Sequence, residues 1–148
     1  SVSHNHPEGI KGAQATAATI YMAKNGYSKS QIRELVSVMF GYNLYRTINE
    51  IRSSYEWNDI CQQSVPESII AFLDGNDFED VVRLAVSLGG DADTLGAIAG
   101  SIAACVYPIP NSIAIECEKR LTPDLLKIML DFERYISEHN STNPNAIC

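Results

Sequence analysis

The chain has 148 residues, a length that suits one domain able to bury a sizeable core. Its 45% hydrophobic and 20% charged residues are those of a globular protein and exclude a disordered one. A net charge of −7, with Lys and Arg scattered singly apart from Lys119-Arg120, argues against a nucleic-acid partner, which needs a concentrated basic face.

Helical signals run almost from end to end. Pro7-Glu8 opens a helix to about Asn25, with Pro in the first turn and Gly26 just past the end. Ile10, Ala13, Ala17, Ile20 and Tyr21 recur at helical spacing and mark its expected buried face. Ser28 with Gln31 makes a capping box for a second helix that Gly41 ends, and a shorter helix covers about Thr47 to Ser53. Ser64-Val65-Pro66-Glu67 places Pro just inside another helix start, so Asn58 to Ser64, with Cys61-Gln62-Gln63, reads as a loop. Asp74-Gly75-Asn76 is turn chemistry, after which Asp77 or Phe78 begins a helix to Leu88. Leu95 to Tyr107 is nearly uncharged and is expected to be a buried helix, since a membrane span takes ~20 residues. Thr122-Pro123-Asp124 opens the last long helix, to about Asn140, and Ser141 to Cys148 is expected to fray. With no alternating stretch, repeat or linker, the fold class is all-α, a multi-helix bundle with short connections.

Cys61, Cys105, Cys117 and Cys148 show no C-x-x-C spacing, and Cys105 and Cys117 are expected to act as small hydrophobes. The polar opening Ser1-Val2-Ser3-His4 is not a secretory segment. The expectation is a reduced, cytoplasmic protein with no membrane partner.

Chemistry concentrates at Gly89-Gly90-Asp91-Ala92-Asp93-Thr94, the mouth of the apolar helix. Residues two apart in a helix point in different directions, but at a loop-to-helix junction two carboxylates can converge. Two carboxylates held close repel unless one takes a proton or a hard cation neutralises them, and oxygen-only ligation suits Mg²⁺. Behind them Gly96, Ala99, Gly100 and Ala103 form a thin face for close helix packing. A plainer reading also stands: Asp91 caps the helix and Asp93 answers its dipole. An EF-hand does not fit, because Leu95 and Ile102 would occupy ligand positions five and twelve.

The other polar concentration is Ser3-His4-Asn5-His6-Pro7, two histidines before a helix N-terminus, where an anion can sit. A solvated tail with two ordinary imidazoles is the alternative. Zinc finds no partners there, since the remaining histidine is His139.

The pair SHNHPEGIKGAQATAATIYMA and SLGGDADTLGAIAGSIAACVY, in that order, closely resembles the ADP-ribosylglycohydrolases. FGYNLYRTINEIRSSYEW and CQQSVPESIIAFLDGNDFEDVVRLA, which lie between them, look like a compact bacterial branch. The resemblance implies an orthogonal all-α bundle around two Mg²⁺ or Mn²⁺ ions, with residues 1–140 as a C-terminal portion of that domain. It implies Asp91, Asp93 and Thr94 as metal ligands, with the two aspartates at the catalytic centre. It also implies His4 and Asn5 beside bound ADP-ribose, and Ser64 and Val65 in a loop bordering the pocket. The implied reaction is metal-assisted hydrolysis of the glycosidic bond at the distal ribose of an ADP-ribosylated substrate, the ions orienting hydroxyls, polarising the bond and activating water.

Members of that family are longer, and they carry a Thr-Asp-Asp-Thr-like element and a Gly-Asn-Gly-rich loop that this sequence lacks. The chain is therefore expected to be a C-terminal piece, incomplete for catalysis alone, that associates with its missing half or with itself. The contrasting expectation is a non-catalytic module that binds ADP-ribose or only packs as helices.

Overall fold

The structure, a computed structural model, describes residues 5–55 and 60–140. Over these it is all-helical: α1 (Pro7–Lys24), α2 (Lys29–Phe40), α3 (Ile48–Arg52), α4 (Cys61–Asp74), α5 (Phe78–Val86), α6 (Ala92–Ala103), α7 (Asn111–Glu118) and α8 (Pro123–Asn140). No strand occurs among the described residues, in agreement with the all-α expectation. No helix among them is long and apolar enough to cross a membrane. The chain forms two compact units that divide after Ile109.

In the first unit, side chains fix where helices begin. Ser28 and Gln31 make the expected capping box, and Thr47 with Glu50 makes a second. Asp77 accepts from the Asp80 amide to start α5. The centre is α4, whose residues from Ser64 to Leu73 are all buried and which packs against α1, α3, α5 and α6. Phe72, Ile69 and Ile70 are almost wholly enclosed, each contributing about 1.5–3 kcal/mol of hydrophobic stabilisation. α5 and α6 run antiparallel at close range: Gly96 lies against Val86, and Gly100 against Val82 and Phe78. Ala99, Gly100 and Ala103 are buried, as the small-residue face anticipates. At the end of α4 the Gly75 carbonyl accepts from both the Lys29 ammonium and the Tyr107 hydroxyl, and that ammonium lies over the rings of Phe72 and Tyr107.

Four expectations need correction. The buried face of α1 is Gly12, Ala15, Thr19, Met22 and Ala23, while Ile10 and Tyr21 are exposed. Small side chains let α1 approach α4: a Cβ on Gly12 would lie 3.2 Å from Cys61 Cβ and 3.2 Å from Val65 Cγ2. α4 begins at Cys61, so Pro66 lies inside the helix and the segment from Cys61 to Ser64 is its first turn, not a loop. α6 ends at Ala103 rather than Tyr107. Cys117 is exposed on α7, a helix the sequence reading did not anticipate, whereas Cys105 is half-buried and packs against the core. The expected fraying tail and Asn58 lie outside the described residues.

The second unit holds α7 and α8, laced by solvated ion pairs. Glu116 meets Lys119 and Arg120, and Asp131 meets Lys127 at 2.6 Å. Such exposed pairs contribute little to stability.

Candidate functional site

The mouth of α6 is shaped by its backbone. Gly89 and Gly90 both lie in the left-handed region, at φ 78° and 64°, which other residues rarely adopt. They turn the chain sharply between α5 and α6 and deliver Asp91 at the N-cap position, where its carbonyl accepts from the Leu95 amide at 3.0 Å. The Asp91 side chain makes no capping hydrogen bond, so the plainer reading of it as a cap does not describe its carboxylate. Asp93 and Thr94 are exposed in the first turn. Hydrogen bonding with the Asp91 side chain, and then the amides of Asp93 and Thr94, hold the Asp93 carboxyl below its usual range. The dipole reading therefore fits Asp93.

Helix α4 carries a buried polar group that the sequence reading did not single out. Glu67, from the most buried helix, is only 4% exposed. Its Oε1 accepts from Arg46 Nη2 at 3.0 Å, while Oε2 is buried without a partner. Burial pushes the Glu67 carboxyl up, against the opposing effect of Arg46. Tyr55, in the segment after α3, packs against the core with its hydroxyl also buried and unpartnered. Burial pushes its phenol up, and the negative charges of Glu67 and Asp91 add to this. The signal was the one charged residue in the run from Val65 to Leu73.

The remaining candidates belong to α1 and α4. His4 lies outside the described residues, and Asn5 is exposed immediately before the α1 cap. His6 is that cap, its Nδ1 accepting from the Glu8 amide at 3.3 Å. Ser64 and Val65 are buried inside α4, the Ser64 hydroxyl donating to the Ile60 carbonyl at 3.1 Å. Val65, with Cys61, seats the first turns of α4 against Gly12 of α1. Tyr42 joins the same end: Lys11 lies 4.9 Å over its ring, and burial, then the charges of Glu8 and Cys61, push its phenol up. The N-terminal parts of α1 and α4 thus meet.

For a hard divalent cation, the donors at Asp91, Asp93 and Thr94 have the right chemistry, being oxygens only. They are too few to enclose an ion. Among the described residues, no group of three His, Cys, Asp or Glu side chains could hold a metal.

Comparison with known proteins gives these observations a family. The family model for ADP-ribosylglycohydrolase matches residues 1–140, across both units. The ADP-ribosylarginine hydrolase Tri1 of Pseudomonas putida (strain GB-1) is 30% identical over 118 residues, which cover 74% of this chain and 31% of that protein. The chain thus spans about a third of the length of this curated relative. No solved structure matches. The chain belongs to the ADP-ribosylglycohydrolase family.

Proposed function

We propose that the chain forms part of a metal-dependent ADP-ribosylglycohydrolase, which hydrolyses the glycosidic bond at the distal ribose of an ADP-ribosylated substrate. One observation carries this reading: the Gly89-Gly90 turn brings Asp91 and Asp93 to the mouth of α6, and the Asp91 side chain is not used to cap its helix. Asp91, Asp93 and Thr94 would donate oxygens to Mg²⁺ or Mn²⁺. Such an ion, once bound, would supply Lewis acidity toward the ribose and a template for the attacking water.

The chain's own residues orient the substrate. The α1 N-terminus, with His4 and Asn5 before it, offers amides and side chains to the diphosphate. Ser64 and Val65 support that wall from behind. The relative's name favours arginine as the leaving group, an N-glycosidic linkage to a guanidino nitrogen. Donors beyond Asp91, Asp93 and Thr94 come from water or from polypeptide outside these residues, which makes this chain alone a weak cation binder with little or no turnover.

Calorimetry with Mn²⁺ and ADP-ribose, beside hydrolysis of ADP-ribosylarginine, tests the reading. Weak binding that Asp91→Ala and Asp93→Ala abolish supports it. Robust turnover by the monomer refutes the incomplete cage, and binding unchanged in both variants refutes the cation role. A second reading, a helical interaction module, is favoured by Val38 (80% exposed), Met39 and Leu35 on the outer side of α2.

A further inference from the structure

The loop between α2 and α3, residues 41–47, is held in two different ways. Tyr42 and Leu44 are buried, so its first half is seated by its own apolar side chains. Tyr45 and Thr47 are exposed, so the second half has no such seat. Arg46 holds it instead. Its Nη2 donates to Glu67 Oε1 at 3.0 Å, and its Nε donates to the Asn43 carbonyl at 3.4 Å. The Glu67 side chain, on α4, is only 5% exposed, against 40% for that of Arg46. Its second oxygen, Oε2, is buried without a hydrogen-bond partner. One charge-assisted bond thus ties the unseated half of the loop to the core. A proton on Oε2 would weaken that bond while displacing no other.

We propose that the Arg46–Glu67 pair is a pH-sensitive latch, which holds residues 45–47 onto α4 when Glu67 is ionised and loosens them when it takes a proton. In the protonated form Oε1 still accepts from Arg46, with roughly half the strength of the charge-assisted bond. Burial raises the Glu67 carboxyl above its ordinary value against the pull of Arg46, so the neutral form is within reach. The local contact tightens as pH rises even though the fold loses stability there, because the ion pair offsets only part of the cost of burying the charge. On the elements packed against α4, Glu8 pairs with Lys11 on α1, Glu79 pairs with Arg83 on α5, and Asp91 stands at the mouth of α6. The Tyr55 phenol, after α3, also feels the Glu67 charge. Glu50 of α3 is held below its ordinary value by the Thr47 amide and hydroxyl and then by Arg46. It therefore stays ionised through the change and gives the freed guanidinium an exposed alternative. The inference does not depend on Asp91 binding a cation.

The experiment uses the 148-residue chain, isotope-labelled and without ligand, between about pH 5 and about pH 8. Two quantities are read: the ¹³C shift of the Glu67 side-chain carboxyl, and the exchange protection of the Tyr45 and Thr47 amides relative to a free peptide at the same pH. Those amides donate to Asn43 Oδ1 and Glu50 Oε2. In the wild type their protection falls about fivefold on acidification, with the midpoint of the Glu67 carboxyl. Glu67→Gln, which keeps the shape of the neutral acid, gives the low protection of the acid form at every pH. Arg46→Met, which keeps an apolar stem, does the same and moves the Glu67 midpoint higher. A merely structural role would move the loop and α4 together. With the latch, the amides of Ile69 to Phe72 gain protection on acidification, as global stability rises, while the loop loses it. Loop protection that stays flat while Glu67 titrates overturns the proposal, as does a Glu67 that stays ionised throughout. Wild-type pH dependence retained in Glu67→Gln assigns the effect to another group and overturns it too. Should Glu67→Gln not fold, Arg46→Met decides alone, retained pH dependence overturning the latch and its loss supporting it.

Discussion

α1 and α4 lie side by side and are built on opposite principles. α4 buries ten consecutive residues, large ones included, and holds one anchored acid among them. α1 turns Gly12, Ala15 and Thr19 inward and leaves Ile10 and Tyr21 to the surface. The difference teaches that apolar periodicity marks a buried face only when the neighbouring helix is far enough away to admit large side chains. Where backbones approach closely, the small residues mark the contact.

The contrast can be broken at its strongest point first. Phe72→Ala empties the centre of the most enclosed helix and should cost about 3–5 kcal/mol, read from urea unfolding. An effect below about 1 kcal/mol would mean that α4 is not the centre of the core. Gly12→Leu forces bulk into the close approach to Cys61 and Val65 and should cost about 1–3 kcal/mol. The same measurement on Ile10→Ser or Tyr21→Ser should show a change within about 0.5 kcal/mol, although periodicity alone would rank these as core residues.

Between these extremes Glu67 gives a pH signature. Its folded pKa is raised by burial, so its contribution to stability is most favourable below its unfolded value of about 4.3 and declines as pH rises through the folded one. Glu67→Gln removes that decline. The stability of the variant relative to wild type should therefore increase from about pH 4 to about pH 7, measured by unfolding at both. A flat difference would mean that the carboxyl is not desolvated.

Much of the fold was legible because local chemistry fixes helix starts. Ser28 with Gln31, Asp77 before Phe78 and the Gly89-Gly90 turn act where the sequence places them. The start of α4 was not, because Pro66 imitates a first-turn proline while the helix has already run from Cys61. The α1 face was misassigned because close approach, a tertiary matter, overrode the apolar pattern. At the site, the place of Asp91 and Asp93 at the mouth of α6 follows from the glycine turn before them, whereas the Arg46–Glu67 pair joins residues 21 apart in sequence and emerges only once α4 is packed.

The Gly89-Gly90 turn makes the acidic corner a handed object. No atom lies within 4 Å of where a Cβ on Gly89 would point, so crowding does not protect that position. Chirality does: an L-alanine there faces a penalty of roughly 1–2 kcal/mol for the left-handed conformation, whereas a D-alanine introduced by chemical ligation would settle into it and stiffen the turn. Mirror-image residues at a single site would thus separate the space the corner needs from the backbone direction it needs.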